Sequence, residues 1–110
     1  MTVKLVIPNR HAVEDVDDAI DYYRERGGPS LGEAFATEIV DVYIRLGLHP
    51  HIGSPRPSYE LEMSGVKCWS LNRFPHLVYY QVTADHVELW RVLHPRRDMN
   101  QMTLPRNTMQ

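Results

Sequence analysis

The sequence is poor in the residues and runs that several protein classes need. Its 110 residues include one cysteine, Cys68, which excludes an internal disulfide, and no C-x-x-C pair of the kind found in zinc sites. No apolar run approaches the roughly 20 residues of a membrane-spanning helix. Residues 3–7 are apolar only briefly before Pro8 and lack the pattern of a signal peptide. We therefore expect a cytoplasmic protein without a membrane partner.

Motifs of the common enzyme classes are also missing. There is no glycine loop that could cradle a phosphate, no zinc-protease helix and no nucleophile elbow. The segment His49-Pro50-His51 offers two imidazoles but not the four converging ligands of a structural zinc site. Cys68 lies in an apolar stretch and is expected to pack as a small hydrophobic residue. We expect no metal ion and no cofactor.

The charge is distributed unevenly along an otherwise ordinary globular composition. Hydrophobic residues make up 43% of the chain and charged residues 24%, which suits a single folded domain of this length. Residues 1–65 carry eleven acidic and six basic side chains, whereas residues 66–110 carry three and six. Ten of the twelve cations are arginines, a choice that genomic base composition explains first and carboxylate or phosphate binding second. The second half therefore predicts a basic face.

Periodicity over the first half predicts one strand and two helices. Residues 2–7 alternate, which predicts a strand that buries Val3, Leu5 and Ile7. Residues 11–26 are predicted to form the first helix, with Asn9 as its N-cap. The apolar stripe of this first helix is expected to comprise Val13, Val16, Ile20 and Tyr23. Its acidic residues are expected in the first turns and on the opposite face; they are Glu14, Asp15, Asp17, Asp18 and Asp21.

A glycine pair separates the first helix from a second one. Gly27 and Gly28 can supply the positive φ that ends a helix, and Pro29 suits the first turn of the next. The stripe of the second helix is longer and comprises Leu31, Phe35, Ile39, Val42 and Leu46. Because the linker is so short, we expect an antiparallel αα-hairpin whose apolar side needs a cover.

The second half predicts a stiff loop and three strands. Four proline and glycine residues stiffen residues 49–60. Residues 66–71, 77–82 and 87–93 are rich in β-branched and aromatic residues, which predicts an antiparallel meander. The aromatic residues are expected to pack against the helices rather than stack on bases; they are Trp69, Tyr79, Tyr80 and Trp90. The expected fold is α+β, in the order β-α-α-β-β-β, with an antiparallel sheet on an αα-hairpin. Residues 1–98 form the domain and residues 99–110 a tail.

Cationic residues concentrate where the predicted strands end. Arg73 and His76 precede the second strand of the meander, and His94, Arg96 and Arg97 follow the last one. Because strand ends cluster in space, these residues are expected to form one rim that holds a phosphate or an acidic protein segment. The alternative is a solvated rim in which Asp98 pairs with Arg97, and composition alone favours it.

Four stretches in this order resemble the RelE/ParE superfamily of bacterial toxins, on the ParE side. They are residues 17–23, the segment 46–53 with His49-Pro50 and Ile52-Gly53, residues 73–80, and residues 92–98. The resemblance implies a small toxin that a cognate ParD-like antitoxin holds inactive in a hetero-oligomer. It also implies a target: ParE members block DNA gyrase, whereas RelE-like members cut mRNA on the ribosome.

The residues favour the ParE side of this choice. In a RelE-like nuclease His94 matches the terminal catalytic position, and His76 or Arg73 the cationic one. The catalytic set is incomplete, however, since no tyrosine follows Tyr80 and Pro95 stiffens the backbone after His94. We therefore expect no catalytic residues. The target-binding residues are then Arg73, His94, Arg96 and Arg97. A family member that binds antitoxin without being toxic is the third possibility.

Overall fold

The fold has two helices on one sheet, and a computed structural model describes it for residues 3–55 and 65–98. Strand β1 is Leu5–Pro8, and a helical segment spans Arg10–Leu48. Gly28 divides that segment into α1, residues 10–27, and α2, residues 29–48. Strands β2 to β5 follow, at Ser54–Pro55, Val66–Ser70, Leu77–Val82 and His86–Leu93. The α+β class is confirmed, and the predicted elements occur in the expected order with one additional strand, β2. The end of the expected loop, residues 56–60, and the tail 99–110 lie outside the described residues.

The two helices form the expected hairpin. Asn9 caps α1, since its side-chain oxygen accepts the Ala12 N–H at 2.9 Å. Gly28 adopts φ +84° and ψ 178°, which breaks the helix in a region that suits glycine. Beyond the break α2 lies close against α1, because a Cβ on Gly32 would lie 3.3 Å from the Ile20 carbonyl oxygen. No helix among the described residues is long and apolar enough to cross a membrane.

The sheet is mixed rather than wholly antiparallel. Its strand order is β1-β5-β4-β3-β2. The meander β3-β4-β5 is antiparallel as expected, but β1 pairs with β5 in parallel. Strand β2 was not predicted; it pairs Ser54 and Pro55 with β3 inside the expected loop.

The core lies between the helices and one face of the sheet. Alternation along β4 sends Val78 and Tyr80 towards the helices and Tyr79 to the other face. The helix-facing core takes in most of the predicted α2 stripe, namely Phe35, Ile39, Val42 and Leu46. On the other face a second cluster joins Val66, Cys68, Tyr79, Trp90 and Leu93. Cys68 packs as a small hydrophobic residue, and Trp69 and Tyr80 pack on the helix side as expected. For Tyr79 and Trp90 the expectation of packing against the helices is wrong, because both belong to the cluster on the other face.

The predicted face of β1 is wrong, and the predicted stripe of α1 is wrong at one position. Val3, Leu5 and Ile7 are exposed, and Val6 packs on the core instead. Residues 5–8 are all apolar, so alternation gives no reason to prefer one face. In α1 Val16, Ile20 and Tyr23 pack against the core as predicted. The fully buried residues are Ala12 and Ala19, however, and Val13 is 43% exposed. Small side chains let the helix lie close to the sheet, which moves the stripe away from the larger valine.

Tyr80 fastens the proline-rich loop to the sheet. Its hydroxyl accepts the Gly53 N–H at 2.8 Å and donates to the Pro50 carbonyl at 2.9 Å. A Cβ on Gly53 would lie 2.5 Å from that hydroxyl oxygen, so this position needs glycine. Burial raises the pKa of the Tyr80 phenol, which therefore stays a neutral donor.

The assignment of the α2 core face can be tested with a matched pair of substitutions. Leu46 is fully buried, whereas Ile44 is 57% exposed on the same helix. Leu46→Ala is expected to lower the free energy of unfolding by about 2–5 kcal/mol because it leaves a cavity. Ile44→Ala is the control and should change it by less than about 0.5 kcal/mol. Denaturant melts measure both, and equal losses would contradict the assignment.

Candidate functional site

The turn after β5, residues 94–98, is held by its own side chains. The Asp98 carboxylate accepts the His94 N–H at 2.8 Å, and the Asp98 N–H donates to the His94 carbonyl at 2.8 Å. The His94 Nδ1 atom accepts the N–H groups of Arg96 and Arg97 at 3.1 and 3.0 Å. An imidazole nitrogen that accepts two hydrogen bonds carries no proton. Burial and the neighbouring Arg97 also lower the pKa of His94, so its ring is neutral and fixed.

His76 lies behind this turn in an aromatic enclosure. Its ring centroid is 5.3 Å from that of His94 and 4.9 Å from that of Phe35. The residue is 1% exposed, and neither ring nitrogen has a hydrogen-bond partner among the described residues. Burial, and then electrostatic interactions with His94 and Arg97, lower the pKa of His76 to about 4. His76 is therefore neutral at pH 7 and closed off from solvent.

A cavity of about 210 Å³ opens between α1 and the turn. It is lined by Asp15, Asp18, Ala19, Tyr22, His76, Val92, Arg97 and Asp98. The guanidinium of Arg97 stacks on Tyr22, with its Cζ atom 3.8 Å from the ring centroid. The carboxylate of Asp98 is engaged by the His94 N–H instead. Arg97 therefore contacts Tyr22 of α1 instead of pairing with Asp98, the pairing that the sequence offered as an alternative.

Arg73 lies at a different place on the surface. It lines a second cavity of about 100 Å³, together with Arg45 and Trp69. Its backbone N–H donates to the buried carboxylate of Glu38 at 3.2 Å, and the Asn72 N–H donates to the same carboxylate. The expected single rim is therefore divided. His76, His94 and Arg97 come together, Arg96 is exposed on the same turn, and Arg73 is separate.

An ion pair that the sequence did not predict joins α1 to β5. Arg91 donates from Nε and Nη2 to the two oxygens of Asp15 at 2.8 and 2.9 Å. The Val92 N–H donates to the same carboxylate at 2.9 Å. Hydrogen bonding to Asp15 raises the pKa of Arg91. The expectation that Asp15 faces solvent is wrong, because its side chain is only 12% exposed. The sequence signal for this ion pair was Arg91, which is the charged residue within the apolar residues 89–93.

Comparison with known proteins places this geometry in a family. Residues 6–99 match the family model described as ParE toxin of type II toxin-antitoxin system, parDE. The chain belongs to the ParE toxin family. A similar solved structure is titled "Chromosomal ParDE TA system from P. aeruginosa". The two chains are 25% identical in sequence and superpose with a TM-score of 0.70. The match covers 84% of this chain and 96% of the other. No curated protein sequence shows significant similarity to this chain.

The position of this ParE chain's ion pair predicts a large effect on stability. Asp15→Asn is expected to lower the free energy of unfolding by about 3–5 kcal/mol, because it removes the carboxylate that holds buried Arg91 in a bidentate ion pair. The control is Glu14→Gln, since the Arg10–Glu14 pair is solvent-exposed. That change should cost less than about 1 kcal/mol. Denaturant unfolding of both variants measures this, and a similar small loss in each would contradict the buried pairing.

The burial of His76 predicts a particular pH dependence. Its pKa falls from 6.5 to about 4 on folding, so the unfolded chain binds the proton more tightly. The stability linked to this group is complete above pH 6.5 and is lost as the pH falls towards 4, by about 3 kcal/mol. Denaturant melts across this range should show a shallower loss for His76→Gln than for the parent protein. His11→Gln, at an exposed position, should keep the parent's slope; an unchanged slope in both contradicts the prediction.

Proposed function

We propose that this ParE toxin inhibits DNA gyrase in the cytoplasm and that a cognate ParD-like antitoxin neutralises it. The observation that carries the choice of target is the state of the histidines at the rim. His76 is enclosed and His94 is bonded to its own turn, while Arg96 is exposed beside them. Such a surface offers charge recognition rather than proton transfer.

The geometry gives little support to the RelE-like alternative. Cutting RNA through its 2′-hydroxyl needs a base, an acid and cations that all reach one phosphate. Both nitrogens of His76 are buried, and the Nδ1 atom of His94 already accepts two backbone N–H groups. Arg73 lines a separate cavity. A protein inhibitor that makes interface contacts needs no such set, which favours gyrase binding over nuclease activity.

An exposed apolar stripe supports the antitoxin as a partner. Val40, Ile44 and Leu48 follow one another at a spacing of four on α2 and are 38–57% exposed. Ile52 extends the stripe into the next loop, beside an open groove of about 560 Å³ that also contains Arg45. Contiguous exposed apolar residues mark interaction surfaces, and an amphipathic segment with acidic residues fits this one. The similar structure from P. aeruginosa is titled as a ParDE system, which suggests the same pairing here.

The proposed target can be tested with purified proteins and by expression. The chain alone is expected to arrest growth and to inhibit supercoiling by purified gyrase. Replacing Arg96 and Arg97 together by glutamine should weaken inhibition in a manner graded by salt, because it removes interface charge. His94→Gln should have little effect. Arg10→Gln, at an exposed arginine that begins α1, is the control for the loss of charge.

Two other results would replace this proposal. Ribosome-dependent mRNA cleavage that His94→Gln reduces by about 10²- to 10⁴-fold, with supercoiling untouched, would establish the nuclease alternative. Normal growth with soluble, folded protein would establish the non-toxic family member. Circular dichroism of each purified variant separates loss of inhibition from loss of folding.

A further inference from the structure

Two arginines from different parts of the chain converge on one tyrosine. Arg26, on α1, places its Cζ atom 4.2 Å from the centroid of the Tyr22 ring. Arg97, in the turn after β5, places its Cζ atom 3.8 Å from the same centroid. The two guanidinium carbons therefore cannot be farther apart than the sum of these distances. Arg26 first, and then Arg97, lower the pKa of the Tyr22 phenol.

Neither arginine is neutralised within the described part of the chain. The ion pairs found there join Arg10 to Glu14, Arg24 to Asp21 and Arg91 to Asp15. Arg24 thus has a carboxylate partner, whereas Arg26, two residues further on the same helix, has only the tyrosine. Two like charges held at one ring repel each other unless an anion lies between them. The ring fixes the planes of both guanidinium groups and leaves N–H donors at their edges.

We propose that Tyr22, Arg26 and Arg97 form a binding site for one carboxylate side chain of a protein partner. Guanidinium groups bind carboxylates through paired hydrogen bonds of about 2.7–2.9 Å. Both guanidinium carbons lie within 3.8–4.2 Å of the Tyr22 ring centroid, so a carboxylate at the edge of this ring is close to both cations. The Tyr22 hydroxyl is a third donor at the same point. This inference deepens the proposed function, on which it rests only for the identity of the partner.

The surrounding charges favour a carboxylate over a nucleic acid. Asp18 and Asp98 line the cavity that Tyr22 and Arg97 share, and Asp17 and Asp21 lie on the same helix. A phosphate backbone would bring a row of negative charges along these acids and be repelled. A lone glutamate or aspartate places one charge at the arginines and no others. An acidic residue on a protein surface therefore matches the site better.

The test uses the full chain and N-acetylglutamate amide as the probe, with N-acetylglutamine amide as its uncharged counterpart. NMR of ¹³C-labelled tyrosine rings follows the Tyr22 signal, which Tyr22→Phe assigns. The glutamate probe should shift this signal and raise the Tyr22 pKa, because it neutralises the two cations. Arg26→Gln or Arg97→Gln should weaken binding about tenfold or more. Arg24→Gln should bind like the parent.

Several outcomes would overturn the proposal. Equal shifts with the glutamine probe, no shift at all, or equal loss in Arg24→Gln would show that no carboxylate site exists. Binding of inorganic phosphate or a thymidine oligonucleotide, with no response to the glutamate probe, would assign the site to phosphates instead. Unchanged dichroism of the variants excludes unfolding as the cause. Gyrase inhibition is measured in a separate assay. Loss of the proposed gyrase activity can therefore be distinguished from loss of carboxylate binding.

Discussion

The ion pair between Asp15 and Arg91 fixes the relation between α1 and β5, on which the rest of the site depends. One carboxylate binds the Arg91 side chain and the Val92 backbone, so it holds the helix to the end of the strand at two points. Removing these charges from water costs free energy that their attraction repays only in good geometry. The bidentate contact supplies that geometry. The pair therefore positions the helix more than it adds net stability.

A second buried carboxylate performs the same task for α2. Glu38 accepts the backbone N–H groups of Asn72 and Arg73 in the turn between β3 and β4. Each helix of the hairpin is thus joined through an acidic side chain to the same end of the sheet, where the β3–β4 turn and the end of β5 lie. Gly28 sets the reversal that brings both helices onto the same face. The consequence is the division of the cationic residues. Arg73 lies beside α2, whereas His94 and Arg97 lie beside α1 and the end of β5.

Local patterns in the sequence predict the local parts of this fold well. The Asn9 cap, the Gly28 break and the stripe of α2 depend on residues close together in the chain, so spacing and residue type suffice. The face of β1 could not be predicted, because its residues are all apolar and the cover comes from distant helices. The same limit applies to the site. Asp15 and Arg91 are 76 positions apart, and no periodicity connects them. Only the unusual charge inside an apolar strand could have pointed to a buried partner.

The packing that makes the rim rigid also determines what chemistry remains there. His76 is enclosed and neutral, and His94 is committed to the backbone of its turn, so neither imidazole is available to move a proton to or from a substrate. What the rim presents is fixed positive charge. Arg26 and Tyr22 belong to α1, whereas Arg97 belongs to the turn that continues from β5. Because the Asp15–Arg91 pair joins these two elements, the convergence of the arginines on Tyr22 depends on a contact that neither of them makes.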